Sequence, residues 1–128
     1  MNAAQEPLEI GVGRRTVGAS DVTVVTPVGE IDLANADELS ALLDSPQATA
    51  TRSLIIDLRE VSFMDSSGLR VLLLAAKDRG PHFAAVVGPE SAVARLIELV
   101  DVADRIHAAA SEDEALLRIQ AASADAGG

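Results

Sequence analysis

The stretch Phe63-Met64-Asp65-Ser66-Ser67-Gly68-Leu69 follows the apolar run Leu54-Ile55-Ile56-Asp57-Leu58, and this pair of segments decides the fold. A short, nearly continuous apolar run is the pattern of a central strand buried on both faces. From Ser67 to Arg79 the pattern changes: Leu69, Leu72, Leu73 and Ala76 recur at i, i+3, i+4 and i+7, which predicts a helix that Gly80-Pro81 ends. A hydroxyl therefore stands where a buried strand gives way to an amphipathic helix. Its position fits a helix cap and equally fits a group open to modification, and the Ser66 hydroxyl is expected to serve as both, with Asp65 the other candidate for the cap.

Towards the N-terminus, Leu8, Ile10 and Val12 alternate, as do Val22, Val24, Thr26 and Val28, with Gly13, Gly18, Ser20 and Asp21 supplying turn chemistry. This predicts two strands joined as a hairpin. After Gly29-Glu30-Ile31-Asp32, Asn35 stands three residues before Glu38, the spacing of a capping box, so a helix is expected from about Ala36 to Asp44. Leu39, Leu42 and Leu43 form its apolar stripe, and Pro46 stops it because proline cannot donate the next hydrogen bond.

Towards the C-terminus, Phe83 to Val87 predicts another short strand. Ser91 caps a helix carrying Val93, Leu96, Ile97 and Val100 on one face. A weaker strand around Ile106 leads to a second capping box, Ser111-Glu112-Asp113-Glu114, with Leu116 and Ile119 behind it. Strand then helix repeats three times. The expected fold is a single α/β domain over residues 8–120: a mixed sheet with parallel central strands, an N-terminal antiparallel hairpin and about four packed helices. Residues 1–7 and 121–128, small or polar, are expected to form flexible ends.

The chain has 128 residues, of which 48% are hydrophobic and only 2% aromatic, enough for one core built from Ala, Val, Leu and Ile. Its net charge of −10 repels phosphate backbones and anionic headgroups, which argues against nucleic acid or a membrane surface as a partner and for a protein with a basic face. Absence of cysteine excludes disulfides, thiol catalysis and cysteine-rich zinc sites. No apolar segment reaches the roughly 18 residues of a membrane span, so a cytoplasmic location is expected.

Sites in such sheets form where the carboxyl ends of parallel strands meet. Glu30 and Asp32 follow one strand and Asp65 and Ser66 follow another, so these four residues are expected at one end of the domain. The exposed amides and positive dipole end of the helix are expected to hold a phosphate on Ser66 locally, without unfolding. At about 6 Å from Asp32 or Asp65, each unit of added charge is repelled by roughly 0.7 to 2.8 kcal/mol.

Val28-Gly29-Glu30-Ile31-Asp32, the Asn35 helix and Phe63-Met64-Asp65-Ser66-Ser67-Gly68-Leu69 together resemble the STAS domain of bacterial anti-anti-sigma factors, also called anti-sigma factor antagonists. The resemblance runs from about Leu8 to Ile119. It implies a binding switch and no enzyme activity. The first serine after the aspartate is the family's phosphoacceptor, which places that role on Ser66; Ser67, inside the first helical turn, is the nearest rival. The implied partners are an anti-sigma factor with serine kinase activity, which the unphosphorylated form captures to free a sigma factor, and a metal-dependent serine phosphatase that resets the switch. Glu30, Asp32, Asp65, Ser66, Ser67, Gly68 and Arg70 are implied as the partner-binding surface, and no cofactor is implied. Gly68 also suits close packing. Arg70 departs from the small residue frequent at that place in the family.

Three other functions meet obstacles in the sequence. A serine hydrolase lacks a Gly-x-Ser-x-Gly elbow, and His82 and His107 are isolated. Nucleotide binding lacks a Gly-x-x-x-x-Gly-Lys loop, so any ATP belongs to the partner. A STAS module in a signalling scaffold or a lipid-transport assembly remains an alternative, against which the Asp65-Ser66 pair favours a phosphoswitch over lipid transport.

Overall fold

Strand β3 (Ser53–Asp57) is buried along its whole length, as its sequence predicts, because its residues alternate between two apolar layers. In the computed structural model, which describes residues 7–127, Leu54 and Ile56 share one layer with Leu39, Leu72 and Phe83. Ile55 lies in the other, with Val22, Val24, Ala84, Val86 and Leu116. Fully burying a side chain such as Leu54 contributes about 1.5–3 kcal/mol, so the double layer makes this strand the anchor of the fold.

The remaining strands assemble around it. β1 (Glu9–Val17) and β2 (Ser20–Ile31) form the antiparallel hairpin, closed by Gly18-Ala19 with Gly18 at φ 60. A positive φ confined to the first loop residue is the pattern of a type II′ turn, and glycine adopts it without a Cβ clash. The hairpin is longer than the alternation at Leu8, Ile10 and Val12 predicts: Gly13 lies inside β1, and the strand runs on through Arg14 and Arg15. β4 (Val61–Met64), β5 (Phe83–Val86) and β6 (Ala108–Ala109) complete a six-stranded sheet of order β1-β2-β3-β5-β6. β4 pairs in parallel with the end of β2, beyond the stretch of β2 that pairs with β3.

Among the described residues, five α-helices cover the sheet. α1 (Ala36–Leu43), α3 (Ser66–Arg79) and α4 (Ala92–Val100) contribute to the layer of Leu54 and Ile56, whereas α5 (Glu112–Gly127) contributes Ala115, Leu116 and Ile119 to the layer of Ile55. The fifth is α2 (Pro46–Thr49), so Pro46 both follows the end of α1 and opens a new turn from its first position. A four-residue helix cannot satisfy its own final carbonyls. Arg79 donates to the Ala48 carbonyl at 2.9 Å and Arg14 to that of Gln47 at 2.9 Å.

Two expected caps form. Ser91 Oγ accepts the Ala94 amide at 3.1 Å, and Ser111 Oγ accepts that of Glu114 at 3.1 Å while Glu114 reaches back to the Ala110 amide. The expected strand around Ile106 is displaced: Ile106 is buried in the preceding turn, and the strand is Ala108–Ala109. α5 continues through 121–127, which the sequence assigns to a tail. Of the expected flexible segment 1–7, residues 1–6 lie outside the described residues. No helix among the described residues is long and apolar enough to cross a membrane.

Candidate functional site

Parallel pairing of β2 with β4 builds the site. Glu30 stands opposite Phe63 and Ile31 opposite Met64, so both strands end at one level and the loops into α1 and α3 emerge side by side. Gly29, at φ 118, marks the bulge that shifts the register there. The Asp65 amide then donates to the Ile31 carbonyl at 3.1 Å.

Asp65 joins the two loops through its side chain. One carboxylate oxygen accepts the Ser67 amide at 2.8 Å and the Gly68 amide at 3.4 Å, capping α3, and the other accepts the Leu33 amide at 3.2 Å. Asp65, not Ser66, is therefore the cap. Ser66 is the first helical residue, exposed, and its hydroxyl has no protein hydrogen-bond partner among the described residues. Asp65 thus already accepts the Ser67 and Gly68 amides, two of the helix amides expected to hold a phosphate on Ser66.

Asn35 takes a different role from the one its spacing predicts. No side-chain cap bond forms; its Oδ1 accepts the Asp32 amide at 2.9 Å, and its Nδ2 donates to the Glu30 carbonyl at 2.8 Å. The amide side chain thus bridges the two sides of the Glu30–Asn35 loop. Asp32 Oδ1 accepts the Ala34 amide at 3.0 Å. Together these bonds hold both acidic residues in place.

Gly68 is buried, which corrects its assignment to the partner surface. A Cβ there would lie 2.7 Å from Ile31 Cγ2 and 2.8 Å from Met64 Cγ, so glycine lets α3 close onto the ends of β2 and β4. The other candidate residues divide between two depressions. Glu30 and Asp32 line one of about 260 Å³ with Asn35 and Glu38. Ser67 and Arg70 line a groove of about 390 Å³ between α1 and α3, with Leu33, Val71 and Leu74.

Leu33 forms the ridge beside that groove and is 81% exposed; Leu74 is 53% and Phe63 45% exposed. None of the three is among the residues the sequence singles out as candidates, although Leu33 is an apolar residue in a polar loop and Phe63 lies within the motif itself. Leu33 and Leu74 give that groove an exposed apolar lining. The arrangement presents an unbonded hydroxyl on a face that is part apolar and part acidic.

Neither histidine belongs to this site. His82 is buried, with Nδ1 3.3 Å from Ser53 Oγ, and burial with the nearby Arg52 charge pushes its imidazole below the usual range. His107 Nδ1 bonds the Phe83 carbonyl at 2.8 Å. A second charged cluster lies at the end of β3. Arg59 contacts buried Asp57 at 2.7 Å and Glu112 at 3.6 Å, and Arg15 contacts Glu112 at 2.7 Å. Burial pushes the Asp57 carboxyl up, but hydrogen bonds from Arg59 and Glu112 hold it below its ordinary value; bonding to Asp57, with burial, pushes Glu112 above its own.

The STAS domain family model matches residues 14–115. The anti-sigma-B factor antagonist of Staphylococcus aureus is 30% identical over 81 residues, spanning 62% of this chain and 75% of that protein. The crystal structure of an anti-sigma factor antagonist from Mycobacterium paratuberculosis superposes with a TM-score of 0.72 at 27% identity, covering 88% of this chain and 95% of that one. The Bacillus cell fate determinant SpoIIAA, in its phosphorylated form, shares the fold with a TM-score of 0.55 at 20% identity, covering 85% of this chain and 99% of that one. The family match covers both loops of the site and every strand from β2 to β6, and the chain belongs to the STAS domain family.

Proposed function

We propose that this chain is an anti-sigma factor antagonist that works by binding and has no catalytic role of its own. In its unphosphorylated form it captures an anti-sigma factor that is also a serine kinase, freeing the sigma factor. Phosphorylation of Ser66 ends the binding, and a metal-dependent serine phosphatase restores it. Glu30, Asp32, Asp65, Ser66, Ser67 and Arg70 border the partner, joined by Leu33, Phe63 and Leu74.

The observation that carries this reading is the exposed, unbonded Ser66 hydroxyl beside an Asp65 carboxylate that already holds the helix amides. A phosphoryl group there adds about −1.5 to −2 of charge at neutral pH. With the Ser67, Gly68 and Leu33 amides taken, the phosphate projects onto the partner-facing surface, where it meets Asp65 and the acidic Glu30–Asp32 loop. Repulsion then acts at the interface without requiring the domain to refold. Two unit terms of about 1.4 kcal/mol each weaken binding roughly a hundredfold.

Calorimetric titration against the cognate anti-sigma factor tests this. Ser66→Ala keeps near-normal affinity, while Ser66→Asp, with one added charge at the same place, loses about tenfold or more. Equal affinity for the two variants would contradict the switch.

A further inference from the structure

β1 is an end strand of the sheet, and no other described strand pairs with its outer side. Val17 and Ser20 flank the two-residue loop, so they exchange both ladder hydrogen bonds, and the bonded positions of β1 are then Val17, Arg15, Gly13, Gly11 and Glu9. Thr16, Arg14, Val12 and Ile10 turn their backbone N–H and C=O groups outward. Pro27 independently agrees with this phase. It lies opposite Ile10, where the backbone of β2 faces away from β1, and it falls in the gap between Val25, the last β2 residue paired to β3, and Gly29, the first paired to β4.

Open edges are ordinarily blocked by charge. The whole chain carries −10, yet β1 carries one glutamate against two arginines, a net +1. The order of those charges also selects a register. Antiparallel pairing about Val12 sets Val12 against Val12, Ile10 against Arg14 and Glu9 against Arg15 of a second copy, whereas pairing about Arg14 or Arg15 sets like charges against each other. Gly11 and Gly13 share the face of Glu9 and Arg15, and a Cβ on Gly13 would meet nothing within 4 Å, so that face is clear.

We propose that β1 is a self-association surface on which a second copy of this chain pairs its own β1, antiparallel and centred on Val12. β4 and α3 lie on the opposite side of β2, so Ser66 stays open in both copies. An interface of one strand pair is below standard size, so the affinity is low, with Kd on the order of 100 μM.

Sedimentation equilibrium from about 5 μM to about 500 μM reads the association directly. The wild-type chain should pass from monomer to dimer. Val12→Pro should remain monomeric and folded, because the N–H it removes points outward and the β1–β2 ladder keeps its bonds; Glu9→Lys should weaken the dimer severalfold. The chain has no cysteine, so single variants report the register cleanly. Val12→Cys should form an intermolecular disulfide at least tenfold faster than Thr16→Cys, whose thiols the proposed register holds about 27 Å apart. If Val12→Pro unfolds, Glu9→Lys and the cysteine pair decide. A wild-type chain monomeric throughout, a dimer that survives folded Val12→Pro, or equal oxidation of the two cysteine variants would overturn the proposal. None of these readouts involves the anti-sigma factor.

Discussion

At the scale of single residues, Asp65 holds more of the site together than the serine it precedes. Its carboxylate caps α3 and ties down Leu33, so Asp65→Ala removes a cap worth about 1 kcal/mol and leaves the Leu33 amide without its partner. Urea denaturation should show a loss of about 1–3 kcal/mol, and Asp65→Asn, which keeps an acceptor, should recover part of it. An Asp65→Ala chain as stable as wild type would contradict this bonding. Gly68 is tested by alanine. The new Cβ would overlap Ile31 and Met64, and displacing them costs about 1–3 kcal/mol by the same measurement. Both roles are hard to see in sequence, because a cap and a modification site share one serine-rich pattern. Which of Asp65 and Ser66 faces the helix amides depends on backbone angles: Asp65 is extended, and Ser66 is already helical.

At the scale of elements, the Asp57–Arg59–Glu112–Arg15 cluster ties the start of α5 to β3 and β1, and its two carboxyls give the tie a pH dependence. Asp57 is held below its ordinary value of 3.8, so its contribution is present above that pH and is lost as pH falls. Glu112 is held above 4.5, so the contribution of its proton is complete below 4.5 and is lost as pH rises through the shifted value. Glu112→Gln offers a permanent donor, so its stability should decline less than that of wild type as pH rises from 4.5 to neutrality. Parallel stability curves for the two chains would contradict the upward shift of Glu112. The helices with a serine cap and an apolar stripe, α4 and α5, were legible locally because each carries its own start signal. β4 was not, since its four residues show a buried-exposed-exposed-buried pattern and find their partner only in the end of β2, 32 residues away in chain order. The Asn35–Glu38 spacing misled for a related reason: the loop offered Asn35 the Asp32 amide and the Glu30 carbonyl, and those local bonds replaced the cap. β6 was misplaced because Ile106 favours strands by propensity, whereas its burial in a turn comes from tertiary packing.

At the scale of the whole molecule, the sheet brings two loops to one end and a free edge to one side, and these are separate surfaces. The acidic residues around Ser66 were partly legible in the two motifs; the exposure of Leu74, which lines the neighbouring groove with Leu33, was not. The central claim is that Ser66 is the single group whose charge state decides partner binding. Incubating the chain with its cognate anti-sigma kinase and ATP, then locating the phosphate by mass spectrometry, tests that claim most directly. The account predicts one phosphate, on Ser66, and none on Ser66→Ala. Phosphate on Ser67 in place of Ser66, or modification of Ser66→Ala at the normal rate, would contradict it.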